Sequence, residues 1–216
     1  ESFLLILFNF FWVVGAGIGI LVLAYGAIIP FLPYVLLGLL LLIPWPIVTL
    51  GLFYAVYEIG QGRAIGLRTF FAGGWRVRKH AYRWGLLNLF VMIILGSNIR
   101  FYSSPETPLG GTNIGAVLSS FFLSLTVLWL VWQLYTLSMF PRMKEPRLLL
   151  TMRQAGLLVL RQPIPSFFVA ILAVLLGLAS FFLPILPLLL TFSVIAVLAN
   201  RATAEILGEG DDEQTT

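Results

Sequence analysis

Long apolar runs alternate with two short stretches dense in cations, and that alternation predicts the architecture. A helix crosses a hydrocarbon core of about 30 Å in roughly 20 apolar residues. Runs that approach or exceed that length occupy residues 3–29, 33–57, 85–99, 113–140, 164–182 and 185–200. The first ends at Pro30 and Pro33. Pro44 and Pro46 around Trp45 interrupt the second, where lost backbone donors and ring clashes predict a kink. The third is short for a crossing and carries Asn88, Ser97 and Asn98. Residues 101–112 then supply the turn formers SSPETPLGGT. The fourth is long enough to tilt, and the last two form a hairpin across the turn LPILP.

Between these runs lie the cations. Residues 60–84 hold Arg63, Arg68, Arg76, Arg78, Lys79 and Arg83 with no acid among them. Drawn as a helix, Leu67, Phe70, Phe71, Trp75 and Tyr82 share one arc; Arg68, Arg76, Lys79 and Arg83 share another, with Arg78 out of place. That pattern predicts a helix lying on a membrane surface, anchored by Phe70, Phe71 and Trp75. A charged cytosolic loop would carry the same cations. The second stretch, residues 141–163, sets Arg142, Lys144, Arg147, Arg153 and Arg161 against Glu145 alone. As a helix it gathers Arg147, Thr151, Gln154 and Arg161 on one side and Leu148, Met152, Ala155 and Val159 on the other. Trp129 and Trp132 precede it as interfacial anchors would.

Both basic stretches belong in the cytosol by the positive-inside rule. Alternation over six spans then places both termini inside and leaves only Arg100 of the 13 Lys and Arg residues outside. The expected fold is therefore an all-α polytopic membrane protein with six transmembrane helices and two cytosolic interfacial amphipathic helices. Residues 1–207 form one membrane domain, and residues 208–216 form an acidic tail expected to be disordered. Arg68, Arg76, Lys79, Arg83, Arg147, Arg153 and Arg161 are the candidate contacts for anionic lipid or a protein partner. Gly15 and Gly19, and further on Ala173 and Gly177, are small residues that would let helices approach closely.

Composition strengthens this picture. Hydrophobic residues make up 60% and charged residues 10%, against roughly a quarter charged in a soluble domain. The mean hydropathy is +1.00. The net charge of +4 is concentrated beside apolar runs, which points to anionic lipid and to orientation rather than to nucleic acid. Cysteine is absent, excluding thiol catalysis and thiolate metal sites. The run at residues 3–29 has no basic segment before it and no small-residue cleavage site, so it reads as a span rather than a signal peptide.

Candidate chemistry is sparse. No Asp, Glu, Lys, Arg or His falls in the middle of an expected span, His80 sits among cations that suit it poorly to metal binding, and the acids outside the tail are scattered singly. No cofactor is expected, and catalysis is the least supported class. The intramembrane polar residues Asn9, Asn88, Ser124, Thr126, Gln133, Thr136 and Thr191 suit interhelical hydrogen bonds better than a cavity for a neutral solute. The order of basic stretch, span, turn and span occurs from Arg63 and again from Arg142, although residue identity between the halves is negligible.

FNFFWVV at residues 8–14, PIVTLGLFYAVYEIGQGRA at 46–64 and then RTFFAGGWR resemble the YesL-like family of uncharacterised bacterial membrane proteins. That family shows an "NLLW" start, a "PLVTIG…ALFY" segment and a basic "FRDFF" helix; LYTLSMFPRM and the basic helix after it resemble its second half. The chain departs from the pattern in the apolar run between "NFFW" and "PIVTLG", elements that lie nearly adjacent in the family. The resemblance implies a link to carbohydrate uptake and transfers no catalytic residue. The expectation is a non-catalytic accessory subunit or scaffold of a bacterial inner-membrane assembly, partnered by lipid and other membrane subunits. The alternative is a transporter or lipid-handling protein for neutral or anionic-headgroup substrates.

Overall fold

The computed structural model describes residues 2–28, 32–63, 65–183, 186 and 190–209. Their regular structure is entirely helical. Helix α1 (Ser2–Trp12) runs through a π-helical turn (Val13–Gly17) into α2 (Ile18–Ile28), and α3 (Leu32–Leu41) and α4 (Trp45–Gly60) follow. Then come α5 (Leu67–Arg76), α6 (Arg78–Ser103), α7 (Asn113–Met139) with a 3-10 turn (Phe140–Arg142), α8 (Leu148–Arg161), α9 (Pro163–Phe182) and α10 (Thr191–Leu207). Among the described residues, five segments are long and apolar enough to cross a membrane: Phe3–Gly26, Leu32–Gly60, Arg78–Ser103, Asn113–Arg142 and Pro163–Ser180.

The prolines act as the sequence suggests. Helix α3 stops at Leu41, and α4 starts with Pro44 at its N-cap and Pro46 in its first turn, where missing N–H groups leave no intrahelical bond unmade. The third span is not short. Helix α6 begins at Arg78 and ends at Ser103, so its first turns come from the basic stretch and its last from the turn-rich loop. The sixth run also differs. Its helix lies at Thr191–Leu207, carries Arg201 and Glu205 in its last two turns, and is not among the segments long and apolar enough to span. Residues 185 and 187–189 of that run and residue 184 of the turn before it lie outside the described residues, as do residues 210–216 of the acidic tail.

Burial is concentrated at one end of the bundle. The main core joins Phe8 and Trp12 of α1, Val48 to Val56 of α4, Phe70 of α5, Trp84 of α6, Leu137 of α7 and Ala196 and Ala199 of α10. Helix α10 packs against α1, α4, α7 and α9. Its N-terminal N–H groups, which no intrahelical carbonyl can satisfy, are taken by another helix: Phe192 N and Ser193 N donate to Asn9 Oδ1 at 3.0 and 3.2 Å. In hydrocarbon such a cap replaces what water would supply. The hairpin of α2 and α3 is the opposite case. It is apolar all round and buries little beyond Gly19, Gly26 and Gly38, while Leu21, Leu32 and Leu40 are more than half exposed. An apolar surface of that extent is stable only against lipid or another apolar partner.

Gly15 and Gly19 serve the close packing expected of them. A Cβ on Gly15 would press on Val48 at 3.0 Å, and one on Gly19 would meet the α3 backbone at Leu41 and Leu42 at 2.9 Å. Gly177 does not; a Cβ there would meet nothing within 4 Å, and Ala173 beside it lines an open cavity.

Candidate functional site

Residues 60–84 are not one surface helix. They divide into a turn, α5, a break at Val77 and the start of α6. The buried positions among the described residues are Phe70, Gly74, Val77, Ala81 and Trp84, Phe70 and Gly74 on α5 and Ala81 and Trp84 on α6, on either side of the break. The aromatic arc expected to be a unit is therefore split. Phe70 is fully buried, stacked on Phe8 with ring centroids 5.0 Å apart, and is a core residue rather than an interfacial anchor. Phe71 and Trp75 remain exposed, at 44% and 58%. Size misled the pattern, because the inward positions include Gly74, which meets the Ile47 backbone, and the small Ala81.

That contact folds α5 back onto α4. Gly62 adopts a left-handed φ of +68° that reverses the chain after α4, and Arg63 there donates to Glu58 Oε2 at 2.7 Å. Helix α5 then nests on α4 through three glycines. A Cβ on Gly51 would lie 2.6 Å from the Phe70 carbonyl oxygen, one on Gly73 would lie 2.7 Å from Tyr54 Cβ, and one on Gly74 would overlap the Ile47 carbonyl.

Between this helix pair and the segment after α7 lies a cavity of about 610 Å³. Five cations line it, Arg63, Arg68, Arg76, Arg142 and Lys144, against the single carboxylate of Glu58. Two of the five are committed elsewhere. Arg63 pairs with Glu58. The Arg142 side chain is only 7% exposed and works as a junction. Its Nε donates to both oxygens of Glu209 at 3.0 and 3.1 Å. Its Nη1 donates to the Ser138 carbonyl at 2.6 Å and to Asn200 Oδ1 at 2.9 Å. Its Nη2 donates to the Asn200 carbonyl, and its guanidinium lies 4.9 Å from the Tyr57 ring centroid. Glu209 reaches this position because Gly208, with φ +72°, caps α10 in the left-handed conformation.

Arg68, Arg76 and Lys144 have no hydrogen bond or ion pair to any described residue. Three uncompensated cations around one concave surface form a field suited to an anion with several acceptor oxygens. Of the cations expected to act together, only Arg68 and Arg76 line this cavity. Lys79 and Arg83 are exposed on α6, while Arg153 and Arg161 are exposed on α8. Arg147 lies 3.8 Å from Glu145, both well exposed.

The tryptophans of α7 hold helices together. Trp129 Nε1 donates to Asn88 Oδ1 at 3.0 Å, and Trp132 Nε1 donates to the Met152 carbonyl at 2.8 Å. On α8, Thr151 is buried instead of lying on the polar side; its hydroxyl donates to the Arg147 carbonyl at 2.9 Å, and Leu158 joins the core. Among the described residues no group of three His, Cys, Asp or Glu side chains is placed to hold a metal ion. No family model matches the chain, and no curated protein or solved structure matches it.

Proposed function

We propose that the protein is a six-span bacterial inner-membrane protein, both termini cytosolic, that binds the phosphate-bearing headgroup of an anionic lipid in this basic cavity. The observation that carries the reading is the set of Arg68, Arg76 and Lys144 around about 610 Å³ of space, with no carboxylate among the described residues engaged to any of them. Of the two functions the sequence suggests, lipid handling gains a specific site. The exposed Phe71, Trp75, Lys79, Arg83, Arg153 and Arg161 serve the same end by holding this end of the bundle against an anionic leaflet. The distribution of the cations supports this span count and orientation; in this reading α10 makes the sixth crossing.

The test uses the full chain reconstituted in nanodiscs with spin-labelled lipids. The immobilised fraction of anionic lipid should exceed that of zwitterionic lipid of the same chains. The triple variant Arg68→Gln, Arg76→Gln, Lys144→Gln should keep the fold, because none of the three side chains holds a hydrogen bond or ion pair to a described residue. At about 1 kcal/mol per cation it should lose about a hundredfold in relative affinity. Equal immobilisation of both lipids by the wild type would contradict the proposal.

Orientation has its own check. Cysteines placed singly at Ser103, at the end of α6, and at Gln154, on α8, should react with an impermeant reagent from opposite sides of the membrane, Ser103 from outside. Labelling of both from one side would break the topology.

A further inference from the structure

The chain leaves α10 beside the basic cavity. Gly208 ends the helix, and both carboxylate oxygens of Glu209 then accept from Arg142 Nε. Arg142 is a wall residue of that cavity, and its guanidinium stands over the ring of Tyr57, another wall residue. Whatever follows Glu209 is therefore tethered at the cavity wall. Asp211, Asp212 and Glu213 follow, outside the described residues; with Glu209 they make four of the nine acids of the chain, so no other stretch offers as many carboxylates.

Charge and reach both fit this segment to the cavity. With Arg63 held by Glu58 and Arg142 by Glu209, Arg68, Arg76 and Lys144 remain in the wall without a carboxylate among the described residues. Three carboxylates match three cations. At about 3.5 Å per extended residue, Glu213 reaches up to about 14 Å beyond Glu209, enough to enter a cavity of about 610 Å³. Exposed charge pairs are individually weak, but the tether holds the segment at an effective concentration in about the millimolar range. We infer that residues 211–213 seat in the basic cavity as an intramolecular anion and compete there with the lipid headgroup. The inference rests on the reading of this cavity as an anion site. Anionic lipid at high surface density displaces the segment by mass action, and where such lipid is scarce the segment fills the site. The chain thereby raises the anionic content at which headgroup binding sets in.

Lys79 and Lys144 are the only lysines, so cross-linking through lysine is simple to read. The full chain in nanodiscs of zwitterionic lipid is treated with a carbodiimide, which joins a lysine amine to a touching carboxylate as an amide, the reagent taking up the water. Digestion and mass spectrometry should find Lys144 joined to Asp211, Asp212 or Glu213. The double variant Arg68→Gln, Arg76→Gln keeps Lys144 and the tether, and its yield should fall about threefold, the value of two exposed charge pairs. No such product, or an equal yield in the double variant, would overturn the inference and leave the headgroup reading untouched. The variant Asp211→Asn, Asp212→Asn, Glu213→Gln is then compared with the wild type for spin-labelled anionic lipid. Its relative affinity should be about threefold higher, as for a segment seated in about two-thirds of lipid-free chains. The same neutralisation in the Arg68→Gln, Arg76→Gln background should bring no gain, which separates displacement from a general change in charge. An affinity for anionic lipid that does not rise, or rises equally in both backgrounds, would overturn the competition. A neutral segment with no preference for anionic over zwitterionic lipid would sink the headgroup reading instead, and the cross-link to Lys144 would still place the segment in the cavity.

Discussion

Arg142→Ala is expected to lower stability by about 3–5 kcal/mol, the cost of removing one member of a buried, hydrogen-bonded charge pair. The loss is concentrated because one guanidinium ties together the end of α7, the body of α10 and the chain after the α10 cap. Removing it orphans the Asn200 side-chain oxygen as well as Glu209. Arg142→Lys should recover only part of the stability, since a single ammonium cannot reproduce a planar fork directed at three partners. Glu209→Gln should cost less than either, because Glu209 is 29% exposed and a neutral amide still offers an oxygen. Denaturant titration in mixed micelles measures all three. An alanine variant as stable as the wild type would show that the junction is incidental.

Gly74→Leu is expected to be the most damaging change in the basic stretch, at about 3 kcal/mol, the upper part of the range for overpacking. The obstacle is a backbone carbonyl, that of Ile47, which cannot rotate away as a side chain would. Helix α5 would have to lift from α4, unstacking Phe70 from Phe8 and displacing Arg68 and Arg76 from the basic cavity. Trp75→Leu, on the exposed face of the same helix, should leave stability nearly unchanged. Comparing the two by thermal unfolding in detergent separates α5 as part of the core from α5 as a detachable surface helix, in which case both variants would behave alike.

The sequence made the helical membrane architecture plain because apolar length is a local property, readable without knowing any contact. Pro44 and Pro46 marked the break before α4 for the same reason. The inward face of α5 was not legible. Hydrophobic size pointed to Leu67, Phe71 and Trp75, whereas the fold turned Phe70 and Gly74 inward, a choice that depends on Gly51 and Ile47 of the facing helix. The length of α6 was hidden because Arg78, Lys79 and Arg83 look like the end of a span while the backbone continues straight through them. Among the site residues, Arg68 and Arg76 were visible as cations on one arc. Their association with Arg63, Arg142 and Lys144 was not, because it is made by the reversal at Gly62 and by the packing of α4 on α7. Nothing local to Arg142 announces Asn200, 58 residues away.

The central claim is that the basic cavity holds an anionic lipid headgroup. The most direct measurement extracts the lipids retained by the full chain after purification in mild detergent from its native membrane, and compares them with the bulk membrane lipids. The account predicts anionic phospholipid enriched over bulk and retained near one molecule per chain by the wild type, with enrichment lost in the Arg68→Gln, Arg76→Gln, Lys144→Gln variant. Retention by the wild type in the bulk ratio, or undiminished enrichment in the variant, would contradict it.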